Sequence, residues 1–159
     1  MIKVQREDFD PARELDALVR GRHAIGGVVS FTGLVRDVAP AGAIRAITLE
    51  HYPGMTERKL AEIEAEACAR WPLAASLIIH RYGRLAPGER IVFVATASSH
   101  RDAAFEACRF LVDWLKTKAP FWKLEETGDG ERWVEGRAED EAAAAAWGKP
   151  KPKKPAAAE

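Results

Sequence analysis

The sequence predicts an α+β fold, with helices packed on mostly antiparallel sheet. Three observations lead there. Strand-like runs come in pairs around turn residues, as with Leu77–Tyr82 and Arg90–Ala97 on either side of Pro87-Gly88. Between them lie segments whose apolar residues recur at helical spacing. The two kinds do not alternate regularly, as a doubly wound parallel sheet would require.

Taken in order, Ile2–Gln5 reads as a short strand. Asp10 then caps a helix reaching Arg20, with Pro11 at its first position, where a missing N–H costs nothing. The run Gly26–Val35 is rich in β-branched residues and glycine, a strand with a tight approach at Gly33. Ala43–Tyr52 is a second long strand, in which Ile44, Ala46, Thr48 and Glu50 alternate with Arg45, Ile47, Leu49 and His51. Thr56 is expected to cap a helix to Arg70 whose buried stripe is Leu60, Ile63, Ala67 and Trp71; Pro72 stops it. Arg101–Lys118 is the longest helix, with Ala104, Cys108, Leu111 and Leu115 on one face and Pro120 just beyond its end. Phe121–Glu126 and Arg132–Glu135 form a hairpin around Gly128-Asp129-Gly130. After Gly136, AEDEAAAAAW suits a surface helix, and KPKPKKPAAAE suits a disordered tail. The expected organisation is one domain over 1–147 and a Lys/Pro/Ala-rich tail over 148–159.

Composition narrows the function classes. A length of 159 residues suits one domain with a real core. No apolar run is long enough to span a bilayer, and the charged first ten residues lack a signal core, so the expected place is the cytoplasm. Lys plus Arg and Asp plus Glu both number 24, but the tail holds four lysines against Glu159 and leaves the body acidic. A nucleic-acid binder would carry a basic body, so no nucleic-acid partner is expected. Cys68 and Cys108 stand 40 positions apart on helices, with no CxxC and no activating neighbour, and read as small buried apolar groups. No metal site or cofactor is implied.

The chemistry must come from cations. Nucleotide-loop, zinc-protease and nucleophile-elbow motifs are absent. Basic residues instead gather at element ends: Arg36 after the Gly26–Val35 strand, His100 and Arg101 at the start of the long helix, Lys116 and Lys118 in its last turn, and Lys123 beyond Pro120. A helix start with His100 and Arg101 suits a phosphate. Lys116 and Lys123, on either side of a chain reversal, can face one cleft. Together these groups suit an anion. His23 and His80 have no evident partner and read as surface or partly buried residues.

The segments FTGLVRD (31–37), LEHYPGMTERKLAEI (49–63), RWPL (70–73), IIHRYGRLAPGERIVFVATASSHRDAAFEA (78–107), LKTKAPFWKLEE (115–126) and RWVEGR (132–137) together resemble the molybdopterin synthase large-subunit family, over about residues 26 to 147. That resemblance implies an α/β-hammerhead-like α+β fold and a sulfurtransferase. Its substrate would be cyclic pyranopterin monophosphate, which two sulfur transfers convert to the dithiolene of molybdopterin. The implied partner is a small ubiquitin-like sulfur carrier whose C-terminal Gly-Gly thiocarboxylate enters the pocket. The implied assembly is a homodimer of this subunit within a heterotetramer.

By position, Lys116 and Lys123 match the family's active-site lysines, and Arg36, His100, Arg101 and Glu125 fall in its substrate pocket. Lys116 is suited to hold the thiocarboxylate and stabilise an oxyanion, Lys123 to serve the pterin as proton donor or charge clamp, and the arginines to take the phosphate. Two positions depart from the family pattern: Leu34 and Leu124 stand where several members carry basic residues. The competing reading is a non-catalytic module that binds the tail of a ubiquitin-like protein.

Overall fold

A computed structural model of the chain describes residues 1–40, 42–134 and 138–148. In chain order the described elements are β1 (Ile2–Gln5), α1 (Pro11–Val19), β2 (Gly27–Leu34), β3 (Val38–Ala39), β4 (Gly42–His51) and α2 (Met55–Arg70). There follow β5 (Leu73–Arg81), β6 (Gly83–Leu85), β7 (Arg90–Ser98), α3 (Arg101–Thr117), β8 (Phe121–Thr127), β9 (Gly130–Val134) and α4 (Ala138–Ala145). The α+β expectation holds.

One sheet has the order β1-β5-β7-β2, parallel only between β1 and β5. Its central strands are apolar on both faces. Ile78 of β5 and Val94 of β7 pack with Leu60, Ile63 and Ala67 of α2 and with Cys108, Leu111 and Leu115 of α3. Their neighbours Leu77, Ile79, Phe93 and Ala95 pack with Phe9 and Leu18 on the other side. The sheet is therefore clamped between α1 and the α2–α3 pair, and each fully buried Leu, Ile or Phe stabilises it by about 1.5–3 kcal/mol.

The second sheet is built on β4, which pairs antiparallel with β3, β6 and β8, while β9 adds to β8. The strict alternation expected along β4 breaks at a register shift between Ile44 and Ala46, after which Ile47 and Leu49 join Ile44 in the inner cluster. β6 lies inside the segment read as a turn. Its three residues, Gly-Arg-Leu, are too few to show a period, and β4 supplies the edge that makes them a strand.

Local chemistry sets most boundaries as expected. The Asp10 carboxylate accepts from the backbone N–H of Ala12 at 2.9 Å and of Arg13 at 3.4 Å. Trp71 ends α2 in extended geometry, as a residue before proline must. Thr56 is not the cap of α2: Gly54 is, at φ 81°, and the Glu57 carboxylate reaches back to its N–H at 2.6 Å. Thr56 is fully buried instead; its hydroxyl oxygen accepts from Tyr52 N–H at 3.2 Å and the hydroxyl donates to the Pro120 carbonyl at 3.5 Å.

One further expectation changes. Cys108 is buried but Cys68 is exposed, because the buried stripe of α2 runs through Ala67 and leaves the next residue outside. α4 is the expected surface helix, and it is docked: Trp147, just after it, stands edge-on to Trp71 and Phe110 and donates its indole N–H to Asp113 at 2.8 Å. Gly148, counted with the tail in sequence, accepts from Arg70 at 2.6 Å; residues 149–159, and Glu135, lie outside the described residues.

Candidate active site

The lysine corner is made by the end of α3. With Leu111 and Leu115 buried, Lys116 falls on the outer side of the helix, its side chain more than half exposed and its Nζ 3.7 Å from an Asp140 carboxylate oxygen of α4. Lys118 is the C-cap, and its ammonium lies 5.6 Å from the centre of the Trp114 ring. Pro120 prevents continuation, and the chain enters β8 at Phe121, with Lys123 two residues on.

Phe121, Lys123 and Glu125 share one face of β8, opposite His51, Leu49 and Ile47 of β4. Lys123 Nζ is 3.0 Å from Glu125 Oε1, and Arg132 of β9 approaches Oε2 at 3.4 Å. Burial pushes the Glu125 carboxyl up, but the hydrogen bonds and charges of Lys123 and Arg132 outweigh it and hold the group below its ordinary value. Glu125 is thus a buried anion between two cations. The Glu125 carboxylate fixes the direction of the Lys123 ammonium through this contact.

The other predicted cations stand at two ends of the first sheet. Gly27 pairs with Ser98 and Leu34 with Arg90, so β2 and β7 run in opposite directions. Arg36 follows the Leu34 end, exposed, where Val35, Arg36, Asp37, Val38, Pro87 and Gly88 line an open depression. His100 and Arg101 follow the Ser98 end. Gly26 is required there, because a Cβ would come within 2.2 Å of the Ser99 carbonyl oxygen. His100 is the N-cap of α3 without a side-chain cap bond, and Arg101 is exposed, its only ion pair among the described residues a loose 3.7 Å contact with Asp102. The first-turn N–H groups are open to an anion.

The two ends are far apart. Seven strand residues at about 3.3 Å each separate them by roughly 23 Å. α3 returns along β2 and β7, and the 15 residues from Arg101 to Lys116 span about 22 Å at a rise of about 1.5 Å. Lys116 and Arg36 therefore lie toward one end of the sheet, and His100 and Arg101 at the other.

The cysteines and His80 fall outside this set. Burial pushes the Cys108 thiol up to about 11, against a smaller opposing pull from Thr96, so it holds almost no thiolate at neutral pH. We expect a Cys68→Ser, Cys108→Ala variant to lose stability at most and to keep the sulfurtransferase activity that the resemblance implies, measured as product formed per folded enzyme. His80, read as a surface or partly buried group, is buried. It stacks on Phe121 at 3.7 Å and donates through Nδ1 to the Arg81 carbonyl at 2.9 Å. Desolvation lowers its pKa from 6.5 to about 4. The unfolded chain then binds a proton that the native one does not, so stability present above pH 6.5 falls as pH drops toward 4, by at most about 1.4 kcal/mol per unit. Urea melts between pH 7 and 5 should show this slope, and His80→Gln should flatten it.

The fold and the site define a class, an α+β protein with basic side chains gathered at the ends of its elements, and comparison with known proteins identifies the family. A family model described as MoaE protein matches residues 4–118. The molybdopterin synthase catalytic subunit of Pseudomonas aeruginosa is 57% identical over 146 residues, covering 92% of this chain and 97% of that one. Among solved structures, the molybdopterin biosynthesis MoaE protein of Burkholderia ambifaria superposes with a TM-score of 0.81 at 51% identity, covering 94% of this chain and 98% of that one. The molybdopterin synthase of Staphylococcus aureus gives 0.78 at 30%, covering 84% and 96%. The chain belongs to the MoaE family.

Two residues at the corner went unnoticed in the sequence. Arg132 could have been found, since a two-residue turn at Gly128-Asp129 sets it opposite Glu125 by counting. Asp140 could not, because only the docking of α4 brings it to Lys116.

Proposed function

We propose that this chain is the catalytic subunit of a molybdopterin synthase, moving sulfur from the C-terminal thiocarboxylate of a small ubiquitin-like carrier onto cyclic pyranopterin monophosphate. The observation that carries the reading is Lys116 and Lys123 on either side of the Pro120 corner, in a chain of the MoaE family. Lys116, free on its outer side except for Asp140 among the described residues, receives the carrier's terminal anion and stabilises the oxyanion as the acyl–sulfur bond breaks. Lys123, aimed by Glu125, serves the pterin. Sulfur arrives on the carrier, so neither cysteine is needed.

The phosphate site follows from the separation of the two ends of the sheet. One anion cannot touch both Arg36 and Arg101 of the same chain. We assign the pocket to two copies of the chain, Arg36 and the lysines from one and His100 and Arg101 from the other, in a homodimer that binds one carrier per subunit.

Incubation with thiocarboxylated carrier and precursor tests the reading: dithiolene product should form with turnover. Tight binding of the carrier without product would favour the non-catalytic tail-binding module.

A further inference from the structure

Asp140 stands where the carrier's terminal anion is expected. α4 is fastened at its far end without any help from Asp140: Ala144 is buried, the Trp147 ring packs on Trp71 and Phe110, and Arg70 donates to the carbonyls of Trp147 at 3.0 Å and Gly148 at 2.6 Å. At its near end the first turn carries Glu139, Asp140 and Glu141, and of these Asp140 approaches Lys116. The contact is 3.7 Å, too long for a hydrogen bond, between groups 55% and 27% exposed. Such a pair is weak and exchanges readily.

We propose that Asp140 is a positioning residue for Lys116, holding the ammonium at the corner in the free subunit and yielding it to the terminal carboxylate or thiocarboxylate of the carrier. This rests on the reading that Lys116 receives that tail. The geometry fits an exchange of partners. The incoming group has the same charge and shape as the one it replaces, and the anchorage at Trp147 and Arg70 lets the ion pair open without undocking the helix. A tighter, bidentate pair would sequester the lysine. Asp140 therefore competes with the tail for one cation while keeping that cation out of solvent-directed rotamers.

Calorimetric titration with carrier ending in Gly-Gly carboxylate tests this. Asp140→Asn, nearly isosteric, should bind about two- to fivefold more tightly than wild type, the range for release of one exposed ion pair, and Asp140→Glu should stay near wild type. The gain should vanish in a Lys116→Ala background and with carrier whose terminus is amidated. Unchanged affinity in Asp140→Asn, or a gain that persists without Lys116, would overturn the proposal while leaving the catalytic reading intact. If amidation of the tail leaves wild-type affinity unchanged, and Lys116→Ala makes product normally, the catalytic reading itself fails.

Discussion

Lys116→Ala is expected to fold, to bind the carrier still, and to form product about 10² to 10³ times more slowly. That factor is the usual loss on removing one fixed donor to a developing oxyanion, about 2.7–4 kcal/mol. Folding should survive because the side chain is more than half exposed and its ion pair with Asp140 is loose; exposed pairs contribute about 0.2–1 kcal/mol. Lys116→Arg should rescue little, since a planar guanidinium on a longer stem does not put its charge where a compact ammonium sits. Lys118 is the control. It caps the helix through its backbone and rests its ammonium over Trp114, away from the Asp140 contact. Single-turnover assays should find Lys118→Ala near normal. The reverse outcome, an active Lys116→Ala and a crippled Lys118→Ala, would put the catalytic side of α3 elsewhere.

The second large effect concerns the phosphate. Arg36→Ala and Arg101→Ala should each weaken precursor binding by about 10- to 150-fold, the equivalent of about 1.5–3 kcal/mol for a charged hydrogen-bond partner, and slow the chemistry less at saturation. The separation of the two ends adds a sharper expectation. In a symmetric dimer whose pockets draw Arg36 from one copy and Arg101 from the other, mixing the two variants creates mixed dimers with one intact pocket. Random mixing in equal amounts restores about a quarter of the pockets, although each variant alone is impaired. Precursor titrations of the mixture should show a wild-type-affinity fraction of that size. If mixing restores nothing while dimers exchange freely, the two arginines do not share a pocket across copies.

The elements that carry these residues were largely legible in the sequence, for local reasons. Asp10-Pro11, Trp71-Pro72 and Pro120 set helix ends by capping and by proline sterics, and the buried stripe Ala104, Cys108, Leu111 and Leu115 of α3 is fully inside as its spacing predicts. The placement of Lys116 and Lys123 on either side of the turn was legible because Pro120 cannot continue α3. What failed depended on distant partners. β6 exists because β4 offers an edge. His80 is buried because Phe121, forty-one positions on, stacks against it. The two cations around Glu125 come from the hairpin register, which sets Arg132 opposite it beside Lys123. For Arg36, His100 and Arg101, what the sequence does not supply is the distance between the two ends of the sheet, which the antiparallel pairing of β2 and β7 sets.

The most direct test follows the sulfur atom. Carrier bearing isotopically labelled thiocarboxylate is incubated with unlabelled precursor and the Cys68→Ser, Cys108→Ala variant, and the product is analysed by mass spectrometry. Transfer from the carrier through the lysine corner predicts molybdopterin with label in both dithiolene sulfurs and two carriers consumed per product. Label that fails to reach the pterin, or product formation that stops when the cysteines are removed from a folded protein, would contradict it.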